Sequence, residues 1–116
     1  AMQYALLIYT DEKQEAETTK EQADAIMAAY FAFSEQYKDK IVAGEALMPT
    51  QSATTVRAPE GKALTTDGPF AETKEQLGGF YLIEAANLDE AIEIAARIPG
   101  AAYGSIEVRP VMKFDS

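Results

Sequence analysis

Apolar positions recur along the chain in three rhythms. From Met2 to Tyr9, "MQYALLIY", they are nearly continuous, as in a strand covered on both faces. An acidic loop is expected next, and then the spacing changes to threes and fours. Ala23, Ile26, Met27, Tyr30, Phe33 and Tyr37 mark one stripe of a long helix, opened by a Thr18/Glu21 capping box. "IVAGEALM", Ile41 to Met48, reads as a second strand that Pro49 ends. "TTVRAP" and "KALTT" flank Pro59, Glu60 and Gly61 and read as a hairpin. "GGFYLIEA" is a third core strand. "NLDEAIEIAARIPG" is a second helix, with Asn87 as cap, Glu90 at its third position and Pro99-Gly100 as its stop. In the closing "GSIEVRPVMKF", Ile106, Val108, Met112 and Phe114 form an apolar face, and Ser105, Glu107, Arg109 and Lys113 a polar one.

The order β-α-β, hairpin, β-α-β is the split βαβ of a ferredoxin-like α+β fold with one inserted hairpin. One domain is expected over 1–116, with Ala1, ahead of Met2, as an expression remnant. Two helices cover one face of such a sheet, yet several strands are apolar on both faces. The second face needs a cover, and a homodimer would supply it.

Composition narrows the chemistry. Ten Lys+Arg against 19 Asp+Glu leave a formal charge of −9, the reverse of what a nucleic-acid backbone attracts. No stretch is long and apolar enough for a membrane span, and the start shows no basic-then-apolar secretory pattern, so a cytoplasmic protein is expected. Cys and His are both absent, which removes thiolate nucleophiles, imidazole bases and the usual zinc spheres. The acidic "TDEKQEAETTKEQ" lacks the ligand spacing and the glycine of a calcium loop, and Gly78-Gly79 precedes a strand where a phosphate loop needs a helix. No metal and no cofactor is expected. Carboxylates, Tyr, Arg and hydroxyls remain.

Asp67-Gly68-Pro69-Phe70 has turn chemistry, and the same rigid turn could present the Asp67 carboxylate into a cleft with Glu72 close behind. Two carboxylates in unequal surroundings can act as acid and base. Glu45 alternates with Ile41, Ala43 and Leu47, which places a charge on an otherwise apolar strand face, either paired with a base such as Arg109 or lining a cavity. Asp67, Glu72 and Glu45 are therefore the catalytic candidates. Arg109 is a candidate anion anchor, and Tyr81 and Phe70 are candidate substrate contacts. Tyr4, Tyr9 and Tyr103 suit amphipathic packing.

Together "DGPFAETKEQLGG", "VAGEAL" and "ARIPGAAYGSIEVRPV" resemble the DGPF-domain branch of the YCII-related proteins over nearly the whole chain. The resemblance implies a dimeric α/β-barrel of the ferredoxin-like kind. It also implies a cleft: relatives that dehydrochlorinate a hydroxyquinol use a His-Asp pair there, which a chain without His cannot reproduce. Asp67 and its DGPF neighbours alone match a family motif residue by residue. Relatives encoded beside extracytoplasmic-function sigma factors add the possibility of a sigma-factor partner. The expected function is a small-molecule binder or enzyme doing carboxylate-based proton transfer in a cleft of a homodimer. The alternative is a non-enzymatic regulatory module.

Overall fold

In the computed structural model, which describes residues 1–114, the N-terminal apolar run becomes strand β1, Met2–Thr10. Tyr4, Leu6, Ile8 and Thr10 alternate onto one face and are buried, whereas Gln3, Ala5, Leu7 and Tyr9 face the other way and are half-buried. Strands β2 (Ile41–Ala46), β5 (Gln76–Ala85) and β6 (Ser105–Pro110) join β1 in one antiparallel sheet of order β2-β5-β1-β6. β1 and β2 run the same way with β5 between them, and β5 and β6 do so with β1 between them. Both crossovers are thus split, which is the expected ferredoxin-like α+β arrangement. The last two residues of the expected 1–116 span lie outside the described residues.

Helices α2 (Lys20–Gln36) and α3 (Leu88–Ala96) cover one face of the sheet. The core lies between, with Leu6, Ile83 and Ile98 fully enclosed and Ile8, Phe33 and Ile94 around them. Each such aliphatic side chain contributes about 2 kcal/mol by leaving water. Strands β3 (Thr54–Arg57) and β4 (Leu64–Asp67) pair only with each other, as the inserted hairpin.

Three local readings change. The expected acidic loop coils into a short helix, α1 (Glu12–Ala16), because the Asp11 side chain accepts from the Lys13 amide at 2.9 Å and caps it. The capping box of α2 then moves from Thr18/Glu21 to Thr19/Gln22, with reciprocal bonds of 3.1 Å. Thr18 is already engaged, since its amide donates to the Glu15 carbonyl that closes α1. The last strand stops at Pro110, which faces Tyr4 near the start of β1. Met112 and Phe114 beyond it are 73% and 83% exposed and extend no apolar face.

The chain measures 47 × 45 × 19 Å with a radius of gyration of 16.2 Å, against about 13 Å for a compact chain of this length. The helix-free face of the sheet is open, and on it Ala5, Leu7, Phe80 and Leu82 stand together by strand register.

Candidate functional site

At its C-terminal end β1 delivers the Thr10 side chain onto the helical face, where it is 5% exposed. Its hydroxyl donates to Glu15 Oε1 at 2.7 Å. The Asp11 cap turns the chain so that α1 stands over the end of β1, with Glu12 and Glu15 on one side of its single turn. Glu12 faces the connection after β2: its carboxylate accepts from the Thr50 amide at 2.9 Å and the Thr50 hydroxyl at 2.6 Å. The Glu12 amide donates to Gln76 Oε1 at 2.9 Å, and Gln76 Nε2 donates to the Thr73 carbonyl at 2.6 Å. One hydrogen-bonded clasp thus ties α1 to two segments far away in sequence.

Behind this clasp lies a cleft of about 1000 Å³ between the sheet and the α1–α2 side, lined among others by Ile8, Thr10, Glu15, Tyr30, Tyr81 and Tyr103. Small residues form its sheet wall. A Cβ at Gly44 would come within 2.7 Å of the Tyr81 ring, so glycine there lets that ring lie against β2. A Cβ at Gly78, where the β1–β5 register shifts, would meet only the Thr10 hydroxyl at 3.8 Å, leaving open space beside it. Tyr81 also packs on Phe33 with ring centroids 5.1 Å apart, which fixes its position.

The phenols are held protonated. Burial lifts the Tyr30 hydroxyl to about 12, with the neighbouring Tyr103 adding to the shift and a backbone bond at Gly100 opposing it. Tyr103 is raised as well, first by burial and then by the Glu15 charge. Both are therefore hydrogen-bond donors facing a carboxylate in one cavity.

The residues singled out in the sequence are divided by the fold. Tyr81 lines the cleft, whereas Glu45 borders it only along the β2 backbone and, by register, directs its side chain to the helix-free face. Glu45 is exposed and pairs in register with Phe80. A bulge between Ile41 and Ala43 puts Ile41 on the opposite face, so the alternation expected for β2 is broken. Arg109 does not meet Glu45, since β2 and β6 are opposite edges of the sheet. Its guanidinium instead donates to Glu107 at 2.9 Å on the helix-free face. Asp67, Phe70 and Glu72 are exposed on and after the hairpin, away from the cleft lining. Their turn is held by its glycine: Gly68 has φ +95, donates to the Ala53 carbonyl at 2.6 Å and accepts from the Thr55 hydroxyl at 2.8 Å. Thr10, Glu15, Tyr30 and Tyr103 are the cleft groups that sequence reasoning passed over. The one available signal was the burial parity of Thr10 at the end of the β1 alternation.

Among the described residues, no group of three or more His, Cys, Asp or Glu is placed to hold a metal ion, and no helix is long and apolar enough to cross a membrane. Sheet order and split crossovers define a ferredoxin-like α+β fold. The chain belongs to the YCII-related domain family, whose model matches residues 2–115. It is 43% identical over 114 residues to an uncharacterised protein of Rhizobium meliloti (strain 1021), across 95% of this chain and 92% of that one. Its fold is similar to that of 5-chloro-2-hydroxyhydroquinone dehydrochlorinase (TftG) from Burkholderia phenoliruptrix AC1100, solved in complex with 2,5-dihydroxybenzoquinone. That match has a TM-score of 0.56 and 18% identity, over 93% of this chain and 91% of the other.

Proposed function

We propose that this protein binds a small cyclic phenol or enol in the cleft of each subunit of a homodimer and moves a proton on it with a carboxylate. The observation that carries this reading is the Thr10–Glu15 pair set in the same cleft as two protonated phenols. The Thr10 hydroxyl occupies one Glu15 oxygen and orients the carboxylate, so the other oxygen is the proton acceptor. Tyr30 and Tyr103 donate to the ligand oxygen on which charge develops. Glu15 thereby takes the role that the sequence suggests for Asp67, with Tyr81 as a wall. The dehydrochlorinase of similar fold carries a hydroxylated ring of the size this cleft admits.

The homodimer rests on surface. The single chain exposes 8544 Å², roughly 2300 Å² more than the ~6200 Å² typical of a monomer of 12.6 kDa. That excess is of the order that a subunit loses in an obligate pair.

The test is thermal unfolding with a panel of hydroquinones, catechols and enolisable cyclic monoketones, using wild type, Gly78→Leu and Glu15→Gln. Wild type is expected to gain several degrees with a binding compound. Gly78→Leu fills the cleft and loses the gain while its unliganded midpoint holds. Glu15→Gln still binds but no longer exchanges deuterium into the bound ketone. If no compound shifts wild type, the reading fails. The regulatory-module alternative, a basic partner such as a sigma-factor region docking on a chain of formal charge −9, then takes its place.

A further inference from the structure

Two carboxylates line the cleft, on Glu12 and Glu15, and none of the chain's ten Lys and Arg residues does. The remaining titratable groups facing the space are phenols, Tyr30 from α2, Tyr81 from β5 and Tyr103 from the segment before β6. Two bases are engaged elsewhere, Arg109 with Glu107 behind the sheet and Lys40 with Glu90 at 3.2 Å.

We infer that the cleft takes its ligand in the uncharged form and rejects the anion, so the proton that is moved arrives on the ligand. The inference rests on the reading that a ring compound binds here, and it fixes the charge class of that compound. The balance of the step supports it. When an uncharged phenol or enol gives its proton to Glu15, the O–H or C–H bond of the ligand breaks and a carboxyl O–H bond forms. One negative charge moves from Glu15 to the ligand oxygen, where the Tyr30 and Tyr103 hydroxyls receive it, and the net charge of the cleft is unchanged. A ligand that arrives as an anion adds a charge beside an acidic lining and leaves Glu15 no proton to take from that oxygen. Donors that stay protonated suit a charge born inside the site, with no lysine or arginine placed to draw one in from solvent.

The same reasoning separates this cleft from one built for 2,5-dihydroxybenzoquinone, an acidic enedione that is ionised at neutral pH. The dehydrochlorinase of similar fold holds that compound. Charge class is therefore a point on which the two proteins are expected to differ.

Gln51 offers a lever, because it lines the cleft, is exposed, and belongs to none of the hydrogen bonds of the site. Binding of 2-methylhydroquinone and 2,5-dihydroxybenzoate, near-isosteric probes that differ by a carboxylate, is measured by titration calorimetry on wild type, Gln51→Lys and Gln51→Glu. The uncharged probe is expected to bind at least about tenfold more tightly than the anion, with Gln51→Lys narrowing the ratio and Gln51→Glu widening it. Equal affinities, or a preference for the anion, would overturn the charge inference and leave the binding cleft standing. If neither probe binds any of the three proteins, both the inference and the cleft reading fall.

Discussion

Tyr30 shows how one side chain joins fold and site. It lies on the stripe of α2 that the threes-and-fours spacing marks, and half-burial against Gly100 and Tyr103 raises its ionisation to about 12. A folded-state value above the unfolded one means that the stabilisation is complete below about pH 10 and is lost as the pH climbs from 10 toward 12. Tyr30→Phe is expected to flatten the alkaline fall of the melting midpoint over that interval, and parallel curves for the two proteins would refute the assignment. The C-terminal half of the helical stripe was legible because it is periodic, with Tyr30, Phe33 and Tyr37 on the core, whereas Ala23 and Met27 of the same stripe are exposed. The Thr10–Glu15 pair was not legible, because it exists only after the Asp11 cap has folded α1 back over β1. Conversely, the conspicuous Asp67-Gly68-Pro69-Phe70 has an evident structural duty in the φ +95 of Gly68, which a sequence cannot separate from a binding duty.

Helix ends illustrate the same limit among the elements. Asn87 was readable as a cap: its side chain accepts from the Glu90 amide at 3.0 Å, and Glu90 Oε1 accepts from the Ala86 amide at 2.8 Å. The bond from the Ala86 amide, and after it the Lys40 contact, hold the Glu90 carboxyl below the usual range. At α2 two adjacent threonines compete, and only the presence of α1 decides for Thr19. Asn87→Ala is therefore expected to cost about 1 kcal/mol, and Thr18→Ala less than about 0.5 kcal/mol, by urea unfolding. A larger loss at Thr18 would return the cap to the position that the sequence suggested. The β2 bulge escaped prediction for a related reason. Alternation assumes an unbroken ladder, and a one-residue insertion against β5 reverses it for Ala43 and Glu45.

For the whole molecule, the order of elements was enough to predict the ferredoxin-like sheet, whose helix-free face stands open. The number of helices and the strand composition are one-dimensional facts. The position of the cleft is not, since it depends on where α1 and the Thr50 connection close over the sheet. Sedimentation or light scattering is expected to give a mass of about 25 kDa, twice the chain's 12.6 kDa. Leu7→Arg, placed at the centre of the open face, should shift that mass toward the single chain. A wild-type protein that stays at the single-chain mass would remove the homodimer and with it the account of the excess surface.

The cleft opens on the helical side of a slab only 19 Å thick, and the face proposed for pairing is the other side. Two copies joined back to back would turn their ligand sites outward, with two sheets of backbone between them. Neither occupant could crowd, attract or displace the other, so the pair would fill as two independent vessels along a simple hyperbolic isotherm. Pairing would then serve to cover the core, with no part in communication between the sites.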